Sequence, residues 1–115
     1  KYGRILNGSS IGIKFGGGEK SFNYSLSKHI LEFIPSVIKK IANKNIIINN
    51  LRIGVTNTKI HKRLKRNQTT MRKRISLIPL KRMASSKEIA EYICFFISEK
   101  NSFMTNETLN ISGGE

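Results

Sequence analysis

The chain has 115 residues, and its 21 Lys and Arg against 7 acids, all Glu, give a formal charge of +14. That length holds one domain at most, and 38% hydrophobic residues predict a packed core rather than a disordered tail. One cysteine excludes an internal disulfide framework and a Cys-rich zinc module, and no apolar run reaches the ~18 residues of a membrane span.

No signal-peptide pattern opens the chain, and it starts on Lys1 rather than Met, which points to part of a longer protein. Tyr2 to Leu6 reads as a short strand, and Asn7-Gly8-Ser9-Ser10 as turn chemistry. Ile11 to Ser21 is a glycine-bearing loop centred on Gly16-Gly17-Gly18. From Phe22 to about Asn43 the spacing predicts a helix, with Leu26, Ile30, Phe33, Ile34, Val37 and Ile41 forming an apolar stripe and Pro35 kinking it.

Ile46-Ile47-Ile48, flanked by Asn on both sides, predicts a strand buried on both faces. The segment Gly54 to Met83 is charged and weakly periodic, and reads as a mobile excursion with some helix. Ser85 and Glu88 fit a capping box, opening a helix whose buried face is Ile89, Ala90, Ile93, Cys94, Phe96 and Ile97. Thr108 to Ile111 makes a last strand before Gly113-Gly114. Strands alternating with helices predict an α/β layer with a parallel sheet.

Charge is concentrated: ten of the 24 residues from Lys59 to Arg82 are Lys or Arg, with no acid between Glu32 and Glu88. One reading is a small basic nucleic-acid-binding or scaffold module using Lys59–Arg82. Others are a solvated face or a lid that attracts an anionic substrate. No aromatic residue interleaves the cations, as a single-strand stacking platform requires. His29 and His61 have no partner at metal-ligand spacing, so the metal assignment is none; Cys94, Phe95, Phe96 and Phe103 read as packing residues.

Tyr24 and Lys28 are four apart, so on a helix they share a face roughly opposite the apolar stripe. An ammonium beside a phenol favours the phenolate, the form that accepts a proton. Ser10, at the end of a strand, offers a hydroxyl to a substrate oxygen. By spacing alone, a solvated surface Tyr–Lys pair is the commoner explanation of these residues.

The order of motifs adds a resemblance. Asn7 to Gly12, a glycine-bearing loop, and Tyr24-Ser25-Leu26-Ser27-Lys28 resemble the Asn-x-Ser-Ser and Tyr-x-x-x-Lys motifs of the short-chain dehydrogenase/reductase family. Asn49 to Thr58 is similar to that family's Asn-x-x-x-Pro-Gly-x-x-x-Thr, with Ile53 in place of Pro; Ile78 to Ala90 and Thr108 to Gly114 resemble its later motifs. The resemblance covers the C-terminal half of the family's domain: a partial Rossmann-type doubly wound parallel sheet over residues 1–115, ordered strand-helix-strand-helix-strand, with a substrate lid at 59–83.

What the resemblance implies is an NAD(P)-dependent oxidoreductase, moving a hydride between NAD or NADP and a small carbonyl or alcohol substrate. Tyr24 would be the general acid/base, and Lys28 would hold the nicotinamide ribose. Ser10, 14 residues before Tyr24, would orient the substrate oxygen, with Ser9 the alternative. Gly54, Thr56 and Thr58 would line the cofactor. The family's Gly-rich phosphate turn and its catalytic Asn are not among these residues, and Gly16-Gly17-Gly18 lacks the strand–turn–helix setting that such a turn needs. The resemblance also implies a cytoplasmic dimer or tetramer with the Tyr24 helix and the closing strand at its interfaces, and no catalysis by these 115 residues alone.

Overall fold

In the computed structural model, which describes residues 1–115, three parallel strands form one sheet: β1 (Gly3–Ser10), β2 (Ile46–Ile53) and β3 (Thr108–Ile111), with β2 in the middle. β1 pairs with β2 along its whole length, from Gly3 opposite Ile46 to Ser10 opposite Ile53. β3 pairs with the second half of β2, Asn50 opposite Thr108 through Ile53 opposite Ile111. Beyond the strands, Thr56 bridges Ala84.

β1 is longer than the turn chemistry suggests, because Asn7 to Ser10 continue the ladder with β2. Ser10 then caps a 3-10 turn over Ile11–Phe15, its Oγ accepting from the Gly12 amide at 3.2 Å. Gly16 and Gly17 take φ values of 70° and 73°, which only glycine adopts without strain. A Cβ on Gly17 would come within 2.5 Å of the Ser25 Oγ. The loop therefore lies against the first turns of α1 (Phe22–Leu31).

The helix expected to reach Asn43 stops at Leu31 and resumes only as α2 (Ser36–Lys39). Pro35 is the cause: it forces the residue before it toward extended backbone and itself sits at φ −58°, ψ 140° as the N-cap of α2. The stripe is also not buried. Leu26, Ile30, Phe33 and Val37 are exposed, while α1 turns Ser25 onto the Gly17 loop and Lys28 onto the Gly8 carbonyl of β1.

β2 is longer than its isoleucine run and buries two asparagines at its middle. Asn50 accepts from the Asn7 amide at 2.9 Å and donates to the Glu32 carbonyl and the Thr108 hydroxyl at 2.9 and 3.1 Å. Asn49 donates to the Met104 carbonyl at 2.8 Å and accepts from the Glu107 amide at 3.0 Å. Buried amides need such partners, and here the partners fix β3 and its approach loop beside β2. The apolar core is small: Ile11, Ile47, Ile48, Leu51, Ile78, Ile89 and Phe96.

The excursion from Gly54 to Met83 carries α3 (Ile60–Arg63) and α4 (Gln68–Ser76). Asn67 caps α4, accepting from the Thr70 amide at 2.8 Å. α5 (Ser86–Phe96) opens on the expected capping box, with Ser85 and Glu88 bonded reciprocally. Only Ile89 and Phe96 of its expected face are buried. Ala90, Cys94 and Ile97 are exposed, because they turn away from the sheet edge where α5 packs. Phe95 and Phe103 are exposed as well, the latter almost fully, so neither is a core residue. No helix is long and apolar enough to cross a membrane.

Candidate active site

At the C-terminal ends of β1 and β2 a cleft of about 680 Å³ opens between the start of α1 and the excursion. Ser10, Tyr24, Lys28, Gly54, Thr56 and Thr58 all line it, and so does Ser9. In an open parallel sheet this end of the strands is where ligands bind. A larger hollow, of about 1060 Å³, lies between α5, β3 and the Gly113-Gly114 turn. Of the expected site residues only Gly54 reaches it, so those residues converge on the smaller cleft.

Each side chain is placed by its element. Tyr24 and Lys28 stand one turn apart on α1, with Lys28 Nζ 5.9 Å from the Tyr24 ring centroid. The same ammonium donates to the Gly8 carbonyl at 2.9 Å, which ties α1 to the end of β1. Tyr24 is exposed to the cleft and Lys28 half-buried. Ser10 is half-buried, with its Oγ engaged only as an acceptor from Gly12. Ser9, though it borders the cleft, is buried and alternates to the other face of the strand.

On the far side, Gly54 follows β2 so closely beside Ser112 that a Cβ would fall 2.6 Å from the Ser112 Cα. That contact explains the glycine there without any ligand. Thr56 Oγ1 donates to the Gly54 carbonyl at 3.2 Å and its own carbonyl meets His61 Nε2 at 2.8 Å.

His61, Arg66, Arg74 and Lys20 also line the cleft, and motif reading passed them over. For His61, Arg66 and Arg74 the only signal in the sequence is the density of cations after Thr58; Lys20, before α1, has none. Arg74 is paired with the Glu115 carboxylate. Further from the cleft, Arg52 makes a two-point salt bridge to Glu32 at 2.8 and 2.7 Å. Burial pushes the Glu32 carboxyl up, but the Arg52 bonds outweigh it and hold it below its ordinary value.

The cleft volume suits a nicotinamide and its ribose together with a small substrate. Lys28 and the Ser10, Thr56 and Thr58 side chains are the polar groups there that could hold them. No comparable glycine turn joins a strand directly to a helix at this cleft, so the residues present fit the nicotinamide end and not the phosphate end.

A family model described as Enoyl-(Acyl carrier protein) reductase matches residues 1–115. The chain is 37% identical over 115 residues to the 3-oxoacyl-(acyl-carrier-protein) reductase FabG of Buchnera aphidicola subsp. Schizaphis graminum, covering 99% of this chain and 46% of that protein. It is 36% identical over 121 residues to an acetoacetyl-CoA reductase of Acinetobacter, covering 99% of this chain and 45% of that one. The crystal structure of YwfH, an NADPH dependent reductase involved in bacilysin biosynthesis, matches at a TM-score of 0.84 with 28% identity, over 97% of this chain and 46% of its own. The chain thus spans about half the length of the relatives it matches. Motif order, parallel sheet and family match agree, and the chain belongs to the short-chain dehydrogenase/reductase family.

Proposed function

We propose that the cleft is the catalytic part of an NAD(P)-dependent oxidoreductase that interconverts a carbonyl and an alcohol. The observation that carries this reading is the meeting of Ser10, Tyr24, Lys28, Gly54, Thr56 and Thr58 around one cleft. The cofactor, when bound, supplies the hydride that reduces the carbonyl carbon, or takes it back from the alcohol. The Tyr24 hydroxyl gives its proton to the carbonyl oxygen, and in the reverse direction recovers it. The Ser10 hydroxyl donates to the same oxygen and orients it, in preference to Ser9, which is buried and alternates to the other face of the strand. Lys28, anchored on the Gly8 carbonyl, holds the ribose and keeps positive charge beside the phenol.

In this reading residues 1–115 are the C-terminal part of one Rossmann-type domain, and the excursion 59–83 is its substrate lid. The exposed apolar residues of α1 and α2 support an oligomer in which a partner covers them. The test is Tyr24→Phe in the full-length protein, followed by NADPH and NADH oxidation with a 3-oxo substrate. Turnover is expected to fall by roughly two to four orders of magnitude with folding unchanged by circular dichroism. A near-normal rate removes Tyr24 from the mechanism and the reading with it.

A further inference from the structure

Five cationic or imidazole side chains line the cleft: Lys20, Lys28, His61, Arg66 and Arg74. No Asp or Glu lines it. Three of the five are already engaged within the chain. Lys28 donates to the Gly8 carbonyl, Arg74 pairs with Glu115, and His61 bridges Thr56 and Arg66. Lys20 and Arg66 remain without a carboxylate partner, one on the loop before α1 and the other just after α3.

Arg66 is held in place. Its backbone amide donates to the His61 carbonyl at 3.1 Å, and its Nη1 lies 3.2 Å from His61 Nδ1. A guanidinium can only donate and a carbonyl can only accept. The contacts of His61 with Arg66 and with the Thr56 carbonyl therefore require the ring protonated at Nε2 with Nδ1 accepting. One N–H of Arg66 is consumed and the others are open, a planar fork suited to a carboxylate or phosphate. The chain Thr56–His61–Arg66 sets that fork at a fixed reach from the loop at Gly54.

We infer that Arg66 and Lys20 form an anion-receiving rim of the cleft, so that the substrate whose carbonyl meets Tyr24 carries its own carboxylate group. The inference rests on the oxidoreductase reading of the same cleft and adds the charge class of the substrate. His61 is a positioning residue that acts through Arg66.

The test compares a 3-oxo acid with its methyl ester in the full-length protein, each at saturating NADPH. The unmodified protein is expected to favour the acid by about tenfold or more in kcat/KM, a preference that shrinks with added salt. Arg66→Gln, alone and with Lys20→Gln, brings that ratio toward one; Arg66→Lys keeps part of it. His61→Phe lowers the ratio through KM for the acid. Equal use of acid and ester by the unmodified protein overturns the inference, as does an equal loss on both substrates in the variants. A rise in KM for NADPH with the acid preference intact assigns the rim to cofactor phosphate and overturns it too. If neither substrate turns over, the oxidoreductase reading is what fails. The rim is then read by NMR titration with acetoacetate and inorganic phosphate: saturable binding lost in Arg66→Gln, Lys20→Gln supports it, and no binding overturns it.

Discussion

Arg52, near the end of β2, grips the Glu32 carboxylate just past the end of α1 with two hydrogen bonds, at 2.8 and 2.7 Å. The pair joins the helix that carries Tyr24 and Lys28 to the central strand. Burial alone would raise the Glu32 carboxyl, but Arg52 brings it below 4.5. The unfolded chain therefore takes up its proton first as pH falls. Stability from this pair is full above about 4.5 and is lost as pH drops through the lower value of the folded state. Denaturant melts at pH 7 and pH 3 are expected to differ by a component that Arg52→Met removes, about 1 kcal/mol because water still screens the outer side of the pair. An unchanged difference in Arg52→Met assigns the acid sensitivity elsewhere.

Gly17 is the second position with a sharp expectation. Its φ is 73° and an added Cβ would sit 2.5 Å from the Ser25 Oγ. Gly17→Ala should cost about 1–3 kcal/mol through strain and this clash. Gly18→Ala has open space apart from the Ser21 hydroxyl at 3.9 Å and a φ outside the left-handed region, so it is expected to be mild. Thermal melts of the two variants side by side decide it, and equal losses contradict the geometry.

Ser85→Ala removes the hydroxyl that accepts from the Glu88 amide at 3.1 Å. A lost N-cap costs about 1 kcal/mol, here at the start of the helix that buries Ile89 and Phe96. The Glu88 carboxyl, bonded by Arg82 and by Ser85, is held down to about 2. The cap is therefore expected to persist in acid and to weaken only as pH falls from about 4.5 through about 2. Helical circular dichroism of Ser85→Ala against the parent between pH 7 and pH 2 reads both effects.

Lys28→Met keeps the length of the side chain and deletes the bond to Gly8. Turnover in the full-length protein is expected to fall by roughly a hundredfold, and KM for NADPH to rise, since the ribose loses its partner. The 115 residues alone are expected to bind NADH and NADPH only weakly, because they fit the nicotinamide end of the cofactor and not its phosphates. Tight, saturable binding in a fluorescence titration contradicts that expectation.

Which residues meet around the cleft was readable from the sequence where they sit at fixed spacing along one element. Tyr24 and Lys28 are a helical turn apart, and Ser10 lies at a strand's end, so local periodicity and motif order place them. Gly54, Thr56 and Thr58 followed from motif order alone. Long-range contacts were not readable. Nothing local shows that Asn50 bonds Asn7 and Thr108, or that Arg52 reaches back to Glu32. The asparagines look like strand ends because their burial depends on partners from distant elements. Apolar periodicity also misled over Leu26 to Val37 and at Cys94, since a stripe reports which face avoids water and not whether these residues supply its cover. The backbone rule at Pro35 overrode the periodicity around it.

Both roots of the excursion that carries α3 and α4 are fastened to the sheet layer. Ala84 donates to the Val55 carbonyl and accepts from the Asn57 amide, at 3.0 and 2.8 Å, and Leu80 donates to the Gly113 carbonyl at 3.1 Å. With its ends clamped, and with Ile78 buried and Arg74 paired with Glu115, this segment is a loop pinned to the sheet layer and not a frayed tether. Loosening the Gly113 clamp is then expected to free the Leu80 end of the loop first, with the β1–β2 ladder beneath it intact.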